Sequence, residues 1–418
     1  MNVLNEDLME KMLSKENLQI AWKKVESNKG KPGIDHITIE EFKDHIFPHW
    51  DKLAAKIMDG RYKPSPVKRV YIPKERGDKR PLGIPTVQDR FLQQSALQVL
   101  QPIFDPGFSS HSYGFRPGKS GHDAVKAAQS FVKEGKEWVV DIDLKSFFDE
   151  VNQDILMYKV AKSISDKRML RFIGKYLRSG VLEDGKVTRS AKGVPQGSPL
   201  SPLLANIYLD DLDKELESRN LSFCRYADDC NIYVKSQKAA ERVFLSVTKW
   251  IEKNLRIPVN RDKSDTGHPW DRQFLGYKIT KAINLMPSPK AFKRFKLKVR
   301  AVLNVRLSQT SKGLRDSWKK FITGWCNYYS LSTGKGWRNT ISGWIRRHIR
   351  KCFWLRWHST KGRKRNLKKL GVKDWQIKKC NLAGASWPMA KHPVMNMALD
   401  NATLRRYGFL VPSDFVGK

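Results

Sequence analysis

The rhythm of hydrophobic and polar positions changes along this chain. Helical and alternating runs are mixed up to about residue 285, and beyond it the spacing is helical throughout. Leu4 to Val25 reads as a mixed-charge amphipathic helix, and Thr38 to Glu41 makes a capping box ahead of an apolar-periodic run through Ile57. Val70 to Ile72 and Arg80 to Ile84, with Gly77 and Asp78 between them, predict a β-hairpin. Helices are predicted over Asp89 to Gln101 and over Gly121 to Glu134, the second with Ser120 as cap and Gly135 as stop. Trp138 to Leu144 is an apolar run broken by Asp141 and Asp143. It predicts a buried strand, which tolerates acids only if they are paired or metal-bound. Gly193 to Pro199 is a rigid loop leading into a helix capped by Ser201, with Pro202 at its first position. Short apolar runs flank Arg225-Tyr226-Ala227-Asp228-Asp229-Cys230, so both aspartates are expected at a hairpin tip. A last hairpin is expected near Phe274 to Tyr277. This order describes an α+β domain with a largely antiparallel sheet.

Beyond the Pro-rich stretch Met286-Pro287-Ser288-Pro289 three helical stripes follow: Phe292, Phe295, Val299, Val302; Trp318, Phe321, Ile322, Trp325; and Ile341, Trp344, Ile345, His348, Ile349. Core packing is the favoured reading of their aromatic residues, with base stacking as the alternative. Charge changes the picture of the opposite faces. Between residues 281 and 370 there are 25 Lys or Arg against one acid, Asp316. That bias exceeds what solubility needs, and these helices read as a surface for a phosphate backbone.

The whole chain has 418 residues, 40% of them apolar, enough for the cores of two or three domains, and its net charge of +37 attracts a polyanion. A membrane is the rival partner. However, no run of 18 apolar residues occurs and the first residues lack a charged-then-apolar signal segment. Cys224, Cys230, Cys326, Cys352 and Cys380 are scattered, with no Cys-x-x-Cys. That argues against structural zinc or a disulfide framework and fits a reducing, cytoplasmic setting. The expectation is a nucleic-acid binder without a membrane partner.

Asp228 and Asp229 together at a tight turn are electrostatically costly unless a multivalent cation neutralises them, and carboxylate oxygens are what Mg²⁺ prefers. A polar turn is the plain alternative. Asp143 joins them if the two strand elements pair. Three carboxylates can hold two Mg²⁺ ions about 4 Å apart for in-line displacement at phosphorus. Arg69, Lys74 and Arg80 of the basic hairpin could supply cations around a triphosphate.

Several blocks then carry a resemblance. Tyr-Ala-Asp-Asp at 226–229, Asp-Ile-Asp-Leu-Lys-Ser-Phe-Phe-Asp at 141–149 and Pro-Gln-Gly-Ser-Pro-Leu-Ser-Pro at 195–202 occur in the order of reverse transcriptases. His111 to Gly118, the basic block, and Gln273-Phe274-Leu275-Gly276-Tyr277 look like group II intron reverse transcriptases, also called maturases. Phe321 to Tyr329 and Trp344-Ile345-Arg346-Arg347 resemble that family's maturase domain, and the likeness covers roughly residues 1 to 412. It implies a right-hand polymerase: an N-terminal helical extension at 1–60, fingers and palm at 61–285, and an all-helical, basic thumb and maturase region at 286–418. It also implies an RNA-directed DNA polymerase that binds its group II intron RNA to assist splicing and retrohoming. The partners would be an RNA template with DNA primer, dNTPs and target DNA, in a ribonucleoprotein with one or two protein copies.

The resemblance assigns the metal ligands to Asp143, Asp228 and Asp229, for two Mg²⁺ ions or Mn²⁺ in their place. Asp228 is the firmer ligand of the adjacent pair, and Asp141 is left to a structural ion pair or a strand cap. Phe148 would exclude a 2′-hydroxyl, or else be plain core. Gln196 and Gly197 would pack on the template–nucleotide pair, and Tyr226 under the primer end. Lys263 would protonate departing pyrophosphate, or be a solvated lysine. No C-terminal zinc-bound nuclease motif is found, which resembles class IIC introns. Two other readings stay open: an RNA-binding splicing factor with a vestigial centre, and a reverse transcriptase domesticated for defence or repair.

Overall fold

The computed structural model describes residues 6–73, 79–189, 191–304 and 310–415. It divides into two compact units, Met1–His268 and Pro269–Lys418. The division falls ahead of the shift in charge near 285, so the last hairpin goes with the helical part.

The first unit opens with α1 (Leu8–Leu13) and α2 (Lys15–Ser27). The single helix expected over Leu4 to Val25 is therefore two. Ser14 takes an extended conformation (φ −61°, ψ 144°) and its hydroxyl accepts from the Asn17 N–H, capping a new start. Next come α3 (Ile39–Ile46) and α4 (Trp50–Met58). The capping box is present, with Thr38 Oγ1 accepting from Glu41 N–H and the Glu41 carboxylate accepting from Thr38 N–H. β1 (Val67–Pro73) and β2 (Lys79–Ile84) pair antiparallel, Arg69 opposite Gly83 and Ile72 opposite Arg80. The turn expected at Gly77 and Asp78 lies outside the described residues.

α5 (Val87–Phe104) is held by a buried carboxylate. Asp89 accepts from Tyr62 Oη (2.6 Å), Thr86 Oγ1 (2.7 Å), Tyr176 Oη (3.0 Å) and the Ser65 N–H (3.1 Å). Burial pushes its carboxyl up and these donors pull it back. α6 (Gly121–Lys133) carries the expected Ser120 capping box and ends before Gly135, whose φ is +81°. Then follow β3 (Trp138–Asp143), α7 (Phe147–Glu150), α8 (Gln153–Ala161), α9 (Lys167–Leu177), β4 (Val181–Glu183) and β5 (Lys186–Thr188). The unit closes with α10 (Ser201–Ser218), β6 (Ser222–Tyr226), β7 (Asp229–Val234), α11 (Gln237–Trp250) and β8 (Asp265–Gly267). Ser201 is the first residue of α10 rather than its cap. Leu200 holds that place, and the Ser201 hydroxyl donates to Pro195 O instead.

Two four-stranded sheets result, ordered β2-β1-β4-β5 and β6-β7-β3-β8. All pairings are antiparallel except β1 with β4. One apolar core joins the inner face of the second sheet to the surrounding helices, through Val140, Ile142, Leu209, Phe223 and Ile232 among others.

The second unit has a two-stranded hairpin, β9 (Tyr277–Ile279) with β10 (Leu285–Pro287), and then helices only. α12 (Pro289–Val302), α13 (Ser311–Tyr328), α14 (Lys335–Arg356) and α15 (Thr360–Lys369) are followed by short helices to residue 406. The aromatic stripes go inward: Trp318 and Trp354 have no exposure. Each buried indole keeps a partner, Trp318 Nε1 to Leu410 O (2.9 Å) and Trp354 Nε1 to Gly384 O (3.1 Å). All five cysteines are buried and unpaired, and burial pushes their thiols up, Cys352 to about 11 and Cys326 to about 12.

Candidate active site

The antiparallel pairing of β3 with β7 sets Asp143 directly opposite Asp229. In the β6–β7 hairpin Tyr226 faces Asp229, which leaves Ala227 and Asp228 as a two-residue turn. The expectation that both aspartates lie at the tip is corrected. The ladder runs one residue further, so Asp229 begins β7 and only Asp228 belongs to the turn. Ala227 sits in the left-handed region at φ +58°, a conformation that costs a residue with a Cβ about 1–2 kcal/mol.

The three carboxylates act on one another. Burial, then the charges of Asp228 and Asp143, push Asp229 up to about 6, with Lys263 opposing. Burial raises Asp228 too, and Asp143 adds to it, against its own backbone N–H, Arg80 and Lys263. Among the described residues no three His, Cys, Asp or Glu side chains converge closely enough to hold a metal ion as they stand. In kind the set fits Mg²⁺. Its donors are all hard oxygens, and the repulsion among them is what a cation would relieve.

The segment after α11 anchors Asp143. The Asp143 N–H donates to Ser264 Oγ (2.9 Å) and its carbonyl accepts from the Asn260 N–H (2.9 Å). Asn260 Nδ2 donates to Asp143 Oδ1 (3.4 Å), and Lys263 Nζ lies 3.7 Å from Oδ2 while 61% exposed. Asp143, Asp228, Asp229 and Lys263 thus form one cluster. Asp141 stands one step along β3, opposite Asn231 and Asp265.

A second group assembles where the loop before α10 meets β2. The Gly83 N–H donates to Gln196 O (2.7 Å), and Arg80 Nε donates to Gln196 Oε1 (3.3 Å). Gly197 has φ +104°, and a Cβ there would fall 2.5 Å from Gly83 O, so only glycine fits this close approach. A cavity of about 380 Å³ opens beside it, bordered by Arg69, Phe148, Asp149, Lys192 and Gln196. Arg69 Nε is buried without a hydrogen-bond partner, 3.8 Å from Glu183 Oε2. Phe148 is nearly buried against Phe147, at 5.2 Å between ring centroids, and also borders the cavity. Arg80 touches both groups, through Gln196 and through its pull on Asp228. The Tyr226 ring lies 6.2 Å from that of Phe115. Lys74 lies outside the described residues.

The sequence alone does not mark Asn260 and Ser264 as supports of Asp143, though they flank Lys263. Nor does it mark Arg225, Asp213 and Asn206 behind the turn. A charged residue placed inside an apolar alternation was the available signal for Arg225.

Two known families match this chain. Residues 72–279 match the family described as reverse transcriptase (RNA-dependent DNA polymerase), and residues 292–371 match the group II intron, maturase-specific domain. Protein YkfC of Escherichia coli (strain K12) is 33% identical over 294 residues, 60% of this chain and 77% of that protein. The group II intron-encoded protein LtrA of Lactococcus lactis subsp. cremoris is 38% identical over 209 residues, 49% of this chain but 34% of that protein. Among solved structures, a chain of the partial Cas6-RT-Cas1--Cas2 complex is similar with a TM-score of 0.39 and 25% identity. The likeness covers 59% of this chain and 42% of that one.

Proposed function

This chain belongs to the group II intron reverse transcriptases, RNA-directed DNA polymerases carrying a maturase-specific domain. From that premise we propose that Asp143, Asp228 and Asp229 are its nucleotidyl-transfer centre. The observation that carries the reading is the register of β3 on β7, which brings Asp143 and Asp229 opposite each other beside Asp228. Two bound Mg²⁺ ions would supply the charge that lowers the pKa of the attacking hydroxyl and stabilises the leaving oxygens.

The chain's own residues do the rest. Arg69 and Arg80 meet the triphosphate from the β1–β2 hairpin, and Arg69 Nε, ion-paired with Glu183 at 3.8 Å but making no hydrogen bond, has a donor to give. Gln196 and Gly197 hold the template–nucleotide pair, with the backbone brought close at Gly197. Phe148, at the cavity border, faces the sugar and disfavours a 2′-hydroxyl. Tyr226 supports the primer end. Lys263, exposed beside Asp143, gives a proton to departing pyrophosphate. The basic helical unit binds the intron RNA for splicing and, with target DNA, for retrohoming.

Asp228→Asn tests the centre. Extension of a DNA primer on an RNA template should be lost while RNA binding is kept. Retained extension would overturn the assignment. Sequencing the RNA that co-purifies with the protein tests the partner, and an RNA other than a group II intron would overturn the splicing role.

A further inference from the structure

Arg225, the residue before Tyr226, carries its charge with no exposure at all, and so does its partner Asp213 on α10. The guanidinium uses all five of its N–H donors. Nε donates to Asp213 Oδ1 (2.6 Å), and Nη2 donates to Asp213 Oδ2 (2.5 Å) and Ser112 Oγ (2.7 Å). Nη1 donates to Asn206 Oδ1 (3.0 Å) and to the carbonyl oxygen of Ala227 (3.0 Å). Burying such a pair is a poor way to stabilise a fold, because well-packed apolar residues of similar volume often do as well or better. Fold stability therefore leaves the pair unexplained.

The last of those bonds explains it. Ala227 is the left-handed residue of the turn, next to Asp228, and its carbonyl is where a strained peptide would swing. The opposite side of the turn is closed as well. Asn206 Nδ2 donates to Gly114 O (2.9 Å), and Gly114 lies so near the turn that a Cβ on it would fall 2.3 Å from Ala227 N. The backbone around Gly114 is fixed to β6 in turn: Tyr113 N–H donates to Arg225 O (2.9 Å), and Arg225 N–H to His111 O (3.0 Å). The block His111 to Gly118, so far without a role, is thus the outer wall of the turn.

We infer that Arg225, with Asp213 and Asn206, is a positioning device that clamps the Ala227–Asp228 turn and so fixes the carboxylates for cation binding. None of the three touches substrate. They act through the Ala227 carbonyl and the wall at Gly114, and the inference rests on the assignment of the three aspartates proposed above. Positioning groups behind metal ligands typically change metal affinity or activity 10- to 100-fold when removed, roughly the effect expected here.

The test uses the full chain with Arg225→Met and Asp213→Leu together, an apolar replacement chosen to keep the core filled. Two readouts are taken. One is the Mg²⁺ concentration for half-maximal primer extension. The other is Mn²⁺ binding, followed by electron paramagnetic resonance, to the protein on a primer–template whose primer end is blocked. Half-saturation should rise, and Mn²⁺ affinity fall, each by roughly 10- to 100-fold, with extension partly restored at high Mg²⁺. A merely structural role would lower the active fraction and leave both midpoints where they are, and that result overturns the inference. Should the double variant fail to fold, Asn206→Ala removes the bond to Gly114 and must show the same two shifts. Wild-type midpoints there overturn the inference equally. Asp228→Asn runs alongside. If it still extends primers, the aspartate assignment is at fault; if it is inactive while the clamp variants bind Mn²⁺ normally, only the clamp fails.

Discussion

Gly197 shows how much a single backbone position can carry. At φ +104°, with its missing Cβ facing Gly83 O, it lets the loop before α10 lie flat against β2. Gly197→Ala should cost on the order of 1–3 kcal/mol in urea unfolding. It should also displace Gln196 enough to slow primer extension roughly 100-fold, because an ångström of misplacement is enough for that. His348 makes a different kind of prediction. It lies against Trp344 (4.2 Å) and Trp387 (5.1 Å), and burial, helped by Lys351 and Arg300, pulls its imidazole down to about 4. The folded protein keeps this histidine neutral while the unfolded chain protonates it near 6.5. The stability of the helical unit should therefore fall as pH drops from about 6.5 towards 4. Urea midpoints across that range check it, and His348→Phe should flatten the decline.

Among the elements, α5 depends on one carboxylate, since Asp89 ties its first turn to Tyr62, Ser65 and Tyr176. Asp89→Leu should lower stability by about 3 kcal/mol, seen in the urea midpoint, because it strands several buried donors at once. From the sequence Asp89 is only the start of a helix, since a sequence shows where an acid lies but not how many donors converge on it. Elements with strong local signals were legible. The Ser120 and Thr38 caps, the 138–143 strand and the hairpin around Asp228 all come from short-range patterns. The short strands β4 and β5 were not, being three residues each with no alternation to detect. The site divided in the same way. Its carboxylates and the Gly197 loop were visible as unusual residues in unusual places. Asn206 and Asp213 looked like ordinary polar positions on a helix, because what gives them meaning is the strand lying across them.

At the scale of the molecule, the apolar stripes of the second unit are consumed in its core. Some of its arginines are spent inside it, Arg350 on Leu399 O, Arg346 on Asp414 and Arg363 on Leu382 O, but between residues 281 and 370 the 25 Lys or Arg still face a single acid. Affinity for the intron RNA should therefore fall steeply with salt. Filter binding between 50 and 300 mM salt should give a slope of log K on log[salt] of about −3 or steeper, and a shallower one would argue against extensive phosphate contacts.

The five buried cysteines have a practical consequence. A thiol must be both exposed and ionised to react with a maleimide, and none of these is either. The native chain is therefore a silent background for site-directed labelling. One cysteine substituted at Tyr158, whose side chain is 65% exposed on α8, would be the sole point of attachment for a fluorophore or spin probe. No native cysteine would first have to be removed.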